Sequence, residues 1–499
     1  MTTDRTTHTT SVDRFSDEVA SHVRSGARFA GLFASAEAAD TRLTALLSHS
    51  GSLVIQETVV PAGAGEFPAL SRHVPAAKWY EREIHDLFGL IPTGAVRVDP
   101  LVFPFVTPAI RPRFGSGAVV PEGQLDLTPL TAHVRGEGVF TISYGPVRSG
   151  VFESIEYLVE TPGEDIPHLR TRVFYKHRGV ESRFETLDVA DGVLLAERCE
   201  GVASVAHAIA YCAALEEMAG VEVSLQAGLV RVLHAELERV ANHLDSIVRH
   251  SEAAGQAVAY ARFSLHKERV QRLRAQLCGS RFGRGVVVPG GVAAPPALSA
   301  TEVLAAIGAL EQSIGADTRL LMSTPSFLDR LRGTGVLDED VAHHFGALGP
   351  LARGSGFMDD VRVTRAYGAY LHLGQQLLEV RGDGDALARQ RVRIQEITGA
   401  FALMREVIEE LGNRGGPSST EWRRPIENVS GRAVGWAEAP QGEVLYLVEA
   451  REGKLVRVKP RSASFHNMAL FPAAFPKDIL TDFAFIEASF GLSIAGVSS

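Results

Sequence analysis

Cysteine is nearly absent from this chain: 499 residues hold three, Cys199, Cys212 and Cys278. Their spacings make neither a Cys-x-x-Cys metal clip nor a four-thiolate iron–sulfur set, so they read as small buried hydrophobes in a reducing compartment. Long apolar runs are missing too, and none approaches the roughly 20 residues that a helix needs to cross a bilayer. The opening MTTDRTTHTTSVDRFSDEVASH lacks the apolar core of a secretory signal. Positive charge is in deficit, with 50 Lys and Arg against 59 Asp and Glu, which argues against nucleic acid as the main partner. No G-x-G-x-x-G follows a strand and opens a helix, so the chain itself should bind no NAD. These absences lead us to expect a cytosolic chain, whose association with any membrane must come through partners.

What is present suits two domains. Apolar content of 45% and charged content of 22% are ordinary for a globular protein. Residues 1–12, rich in Thr and charge, read as a disordered tail. Residues 26–35 and 52–60 read as strands around a helix near Ala36–Ser48. In AAKWYEREIHDLFGL, Ala76 to Leu90, the residues Trp79, Ile84, Leu87 and Phe88 face a core while Glu81, Arg82, Glu83 and Asp86 offer charges. Pro92, Pro100, Pro104, Pro108, Pro112 and Pro121 then break any helix. The resulting boundaries are 13–115 for a first domain, 116–135 for a Pro/Gly-rich linker and 136–499 for a second.

The second domain opens with alternating strands over 136–160, turning at Gly145-Pro146 and Ser149-Gly150. Helical periodicity follows over 194–220, ending at a Gly, and over 227–251, with Leu229, Val232, Leu233, Leu237, Val240 and Leu244 on one stripe. Residues 263–292 read as a helix and then a loop, and further helices are expected near 300–322 and 387–411. Residues 443–462 read as a hairpin about Arg451-Glu452-Gly453-Lys454. The expected class is α+β: a small α/β sandwich, then a large, mainly helical domain with an N-terminal antiparallel sheet and a C-terminal hairpin.

The order W-Y-E-R-E-x-x-D-x-F-G in residues 79–89 resembles the signature of the small accessory subunit of respiratory complex I. From residue 136 onward a series of motifs is similar to the large subunit shared by complex I and the membrane-bound nickel–iron hydrogenases of the hydrogenase-4 and formate hydrogenlyase type. They are ISYGPVRSG (142–150), KHRGVE (176–181), RVLHAELERVANH (231–243), GSRFGRGVVVPGGV (279–292), LGPLARGSGFMDDVR (348–362), AVGWAEAPQGE (433–443) and RVKPRSASFHN (457–467). The two halves resemble the C/D-type fusion found in some complexes I. The resemblance implies a nickel–iron-hydrogenase-like large domain. It also implies an iron–sulfur small subunit of complex I type as partner, holding the clusters, together with antiporter-like membrane subunits.

In those hydrogenases four thiolates hold nickel and iron, within E-R-x-C-G-x-C-S-x-x-H and A-S-x-D-P-C-x-x-C. The matching stretches here are ERCEGVASVAH, Glu197 to His207, and ASFGLSIAG, Ala488 to Gly496. Glu200, Ala203, Ser493 and Gly496 stand at the thiolate positions. A carboxylate, a methyl, a hydroxyl and a hydrogen atom do not replace soft sulfur ligands. The expectation is therefore a hydrogenase scaffold with no metal site and no cofactor bound by this chain. The family's Gly-Pro loop carries a histidine where Arg148 stands, and its E-A-P-R-G-E has Gln441 for arginine.

Glu200, Ser204, His207 and Tyr211 are spaced four, three and four apart, which on one helix places them on one face. Such a polar stripe on an apolar helix lines a polar cavity or an interior hydrogen-bond chain. Glu200, His207 and Tyr211 are the candidate catalytic residues. Glu200 would handle protons, or pair with Arg148 or Arg178. Tyr211 matches the position where complex I carries its quinone-binding tyrosine, and would either contact a quinone or pack with a satisfied hydroxyl. Arg148, His177 and Arg178 are the candidates for cofactor contact, with Arg178 expected to fork onto a carboxylate. Glu236, Glu238, Arg239 and His243 form a charged stripe, either pairing with a neighbouring helix or solvated.

Overall fold

The alternating residues between Arg28 and Val60 form a sheet that is buried on both faces. In a computed structural model, which describes residues 5–95, 98–102, 134, 136–148, 154–374, 380–413 and 422–498, the first elements are β1 (Arg5–Thr9), α1 (Val12–Arg24), β2 (Arg28–Glu37), β3 (Asp40–His49) and β4 (Ser52–Val60). The strand order is β1-β4-β3-β2, with β1 parallel to β4 and the other pairs antiparallel. Helix α1 packs on β3 and β4, while Arg432 and Arg457 of the second domain reach Glu57 and the Ala34 carbonyl.

Two expectations fail in this region. The helix near Ala36–Ser48 is instead a turn and strand β3. Leu43, Ala45, Leu46 and Leu47 are all buried, because both faces of the sheet are covered, and that erases the period-two signal. The expected tail contributes β1, whose register runs from Arg5 against Leu53 to Thr9 against Glu57. Its threonines suit an edge strand.

Helix α2 (Lys78–Phe88) follows a short turn at Pro75–Ala77 and stops at Gly89, whose φ of 72° is the left-handed cap conformation. Trp79, Ile84, Leu87 and Phe88 are buried as the pattern requires. The acids are buried as well. Glu81 accepts from the Ser71 amide at 3.0 Å, and Asp86 accepts from the Leu101 and Val102 amides at 2.7 and 2.8 Å. The motif's charges are internal anchors.

The expected linker at 116–135 lies outside the described residues, apart from Val134. The second domain opens with antiparallel strands β5 (Phe140–Tyr144), β6 (Glu156–Thr161) and β7 (His168–Arg172). Helices α3 (Val180–Phe184), α4 (Gly192–Ala196), α5 (Ser204–Ala219), α6 (Leu225–Ala253), α7 (Ala257–Cys278) and α8 (Ala300–Leu321) follow, and later the long α9 (Ala386–Asn413). The α6 stripe from Leu229 to Leu244 is buried as expected and shares its core with α7, α8 and α9. The helix expected over 194–220 is two helices broken by a turn at 197–203.

The expected hairpin gains a third strand. Strands β8 (Gly431–Ala439), β9 (Gly442–Arg451) and β10 (Lys454–Arg461) form a meander. The β9–β10 turn uses positive φ at Glu452 and Gly453 (50° and 76°). Helix α5 lies so close to β8 that a Cβ on Gly435 would sit 2.0 Å from the Ala210 carbonyl oxygen. Beyond β10 come α10 (Ala463–Met468), α11 (Phe483–Phe490) and α12 (Ile494–Val497). Among the described residues no helix is long and apolar enough to cross a membrane.

Candidate functional site

The turn at 197–203, the start of α5, the β10–α10 junction and the segment before α12 meet at one buried point. Helix α5 begins at Ser204 because the Glu238 carboxylate, reaching over from α6, accepts from the Val205 and Ala206 amides at 2.9 and 3.1 Å. Glu200 therefore lies in the turn before the helix. Its Oε1 accepts from Ser464 Oγ at 2.8 Å, and its Oε2 lies 3.3 Å from His207 Nε2. His207 Nδ1 is 2.8 Å from the Tyr446 hydroxyl, which donates to Cys199 Sγ at 3.3 Å. Ser464 Oγ in turn accepts from the Ser493 amide at 3.1 Å.

The positions aligned with the hydrogenase thiolates are gathered here. A Cβ on Gly496 would stand 2.6 Å from Glu200 Oε2, the Gly496 carbonyl accepts from Ser462 Oγ at 2.6 Å, and the Ala203 amide donates to the Glu200 carbonyl at 3.2 Å. Glu200 and His207 are 1% and 0% exposed. Burial pulls the imidazole down, but contact with Cys199 and Glu200 outweighs it and lifts His207 to about 9. An imidazolium fits the geometry, since both ring nitrogens then donate, one to Glu200 and one to Tyr446. Burial and the neighbouring Cys199 hold the Tyr446 hydroxyl well above the ordinary phenol range.

The sequence-expected residues divide. Glu200 and His207 are brought together, across a turn rather than along one helix face. Tyr211 is on α5, its ring edge-on to that of Tyr446 at 6.0 Å, and no hydrogen bond joins it to Glu200 or His207. Its hydroxyl donates to the Val189 carbonyl at 2.7 Å, its ring stacks on Phe184, and a Cβ on Gly192 would meet that hydroxyl at 2.1 Å. Among the described residues Arg178 takes no carboxylate fork. Its guanidinium donates to the carbonyls of Arg198 (2.8 Å), Cys199 (2.5 Å) and Ala495 (2.6 Å), strapping the Glu200 turn to the segment before Gly496. Exposed His177 lies against the Phe174 ring at 5.6 Å.

Arg148 pairs with Glu487 at 2.7 and 3.1 Å and lies over the rings of Tyr144 and Tyr157. Neither arginine pairs with Glu200. Tyr446, Ser462 and Ser464 went unrecognised, although Ser462 and Ser464 sit in the quoted RVKPRSASFHN motif. No local spacing links them to residue 200.

The charged stripe on α6 is buried, not solvated. Glu236 Oε1 accepts from Tyr370 Oη at 2.6 Å, and Arg362 and Arg239 approach its carboxylate at 3.1 Å. Glu396, on α9, takes Arg353 at 2.5 Å, Arg239 at 3.3 Å and His243 at 3.0 Å. Asp360 binds Arg362 Nη2 at 2.6 Å and Arg353 Nη1 at 3.3 Å. Burial, only partly offset by Glu396, holds His243 down at about 4.

Residues 8–108 match the family model of the respiratory-chain NADH dehydrogenase 30 Kd subunit, and residues 254–428 that of the 49 Kd subunit. The chain thus carries segments similar to both subunits, fused in one polypeptide. It is 27% identical over 419 residues to formate hydrogenlyase subunit 5 of Escherichia coli, covering 82% of this chain and 72% of that one. It is 29% identical over 374 residues to an NADH-quinone oxidoreductase subunit of Streptomyces coelicolor, covering 73% of this chain and 97% of the relative. A solved structure, titled as the membrane-bound sulfane sulfur reductase, an archaeal respiratory membrane complex, shares the fold. That likeness has a TM-score of 0.68 at 23% identity and covers 72% of this chain and 99% of the other.

Proposed function

We propose that this chain is a peripheral subunit of a complex-I-like or hydrogenase-4-like membrane oxidoreductase, seated against an iron–sulfur partner and without a nickel–iron centre of its own. One observation carries the reading. Where the related hydrogenases place four thiolates, Glu200 is engaged by Ser464 and His207 and pressed against Gly496. The residues at these positions do not fit a nickel–iron group, because none offers sulfur and the carboxylate is already committed. Electrons would come through clusters in the partner, a quinone is a candidate acceptor, and antiporter-like membrane subunits are the candidate ion-moving partners. The test is purification of the complex from native membranes, with subunit identification and elemental analysis. Co-purifying complex-I-type subunits without stoichiometric nickel is the expected result. Nickel near one atom per chain, or no such partners, overturns the reading.

A second reading is favoured by a specific observation: a catalytically silent scaffold that couples or regulates a membrane ion-transport complex. Tyr211 is 0% exposed and its hydroxyl is committed to Val189, which leaves it no free donor for a quinone. Tyr211→Phe in the assembled complex separates the two roles. A scaffold tyrosine loses one neutral hydrogen bond, about 0.5–1.5 kcal/mol of stability, and quinone turnover stays unchanged. Turnover lowered at unchanged stability restores Tyr211 as a quinone contact.

A further inference from the structure

Six buried acids crowd the ground between the α6–α9 bundle and the β8–β9 turn: Glu236, Asp359, Asp360, Glu396, Glu438 and Glu443. In five of them both carboxylate oxygens have a donor. Asp359 takes Arg28 at 3.0 Å and the Gly349 amide at 3.2 Å. Glu443 takes Arg28 at 2.9 Å, Arg461 at 2.6 Å and Arg365. Glu236, Asp360 and Glu396 are matched one for one by Arg239, Arg353 and Arg362.

Glu438 differs. Its Oε2 accepts only from the Val361 amide at 3.1 Å, and among the described residues its Oε1 has no hydrogen-bond partner. Its nearest cation, Arg353 Nη1, is 3.7 Å away and already spans Asp360 and the Asp359 carbonyl. An ionised carboxylate buried with one oxygen unmet and no cation within hydrogen-bond distance is among the most destabilising arrangements a core can hold.

We propose that Glu438 is a proton-binding site, the acid of this group that keeps its proton in the folded chain at neutral pH. The charged and titratable groups around it are Arg353, Asp359, Asp360 and Arg362 from the 350–362 segment, Arg239 from α6, Tyr367, and Arg28 from β2. Burial first, and then the charge of Asp360, pushes the Glu438 carboxyl well above the ordinary carboxylate range, beyond what Arg353 restores. Losing the proton would place a fourth carboxylate beside Glu236, Asp360 and Glu396, with no donor for its Oε1 among the described residues. Proton occupancy is thereby tied to the charge of the surrounding acids, and Glu438 holds a proton inside the domain.

The test uses the full-length chain and Glu438→Gln, the amide shaped like the protonated acid. The infrared spectrum of wild type at pH 7 should hold a protonated-carboxyl carbonyl band that Glu438→Gln removes and Glu396→Gln retains. Stability against pH gives the second readout. Between the ordinary carboxylate pKa and the raised folded value, the folded chain binds one proton more than the unfolded chain. Stability then falls as pH rises, by about tenfold in the folding equilibrium per unit, and Glu438→Gln should lack that component. A band that survives in Glu438→Gln, identical pH slopes in the two proteins, or a Glu438→Gln that fails to fold would each overturn the assignment.

Discussion

Gly496 has no side chain because Glu200 occupies the space beside it. A methyl there would stand 2.6 Å from the carboxylate, so Gly496→Ala must push Glu200 off Ser464 or His207. The expected cost is about 1–3 kcal/mol, in the range of overpacking, read as a lower denaturation midpoint with an unchanged slope. An unaffected midpoint would mean that Glu200 is not fixed where Ser464 and His207 hold it. At this scale the sequence was a partial guide. The motif registers placed Glu200 beside the aligned ligand positions, and the spacing of 200 and 207 anticipated their contact through the wrong geometry. The orientation of Tyr211 was beyond reach, since it depends on Phe184 and Val189, residues with no fixed spacing to it. Arg178 failed its expected carboxylate for the same reason: the carbonyls it binds come from separate segments that only the fold brings together.

At the level of elements, the acids of α2 explain how the two domains are fastened. Glu83 and Glu181 of α3 both accept from Lys459 of β10 at 2.6 Å, all three buried. Glu181 has a second cation, Arg457, at 2.5 Å, and although burial opposes it, the two cations hold Glu181 down at about 2. Glu83 relies on Lys459. Lys459→Met should therefore cost about 3–5 kcal/mol by leaving a buried charge unpaired, and Lys459→Met with Glu83→Gln should recover most of that loss. If the double variant is no more stable than the single one, the Glu83 pairing is not what joins the domains. Two more contacts cross the same boundary, Tyr80 to His466 at 2.8 Å and Arg28 to Glu443 at 2.9 Å. Periodicity located α2 and its apolar face. It says only that the acids offer charges, because an amphipathic pattern registers which residues are charged and not whether a second domain covers them. Strand β3 reads as a helix because both its faces are covered, Thr44 by Arg432 of the large domain, which leaves no period-two signal.

Across the whole molecule, burial sets the response to acid. His234, His250 and His466 are each held down at about 3, by burial first and by nearby arginines second, and His243 lies at about 4. Each is neutral in the folded chain and takes a proton on unfolding at any pH below the ordinary histidine value of about 6.5. The unfolded state then binds more protons, so stability falls as pH falls. With four such groups the slope approaches roughly 5 kcal/mol per pH unit once all are engaged, at about 1.4 kcal/mol per proton. His207 runs the other way: with a folded value of about 9, its contribution is complete below about 6.5 and is lost as pH rises through 9. Glu438 also lowers stability as pH rises. The stability maximum is therefore expected near neutral pH, with the steeper flank on the acid side. Denaturant midpoints measured at unit steps from pH 5 to 9 check this. Equal stability at pH 5 and pH 7 would mean that the four histidines are not held neutral.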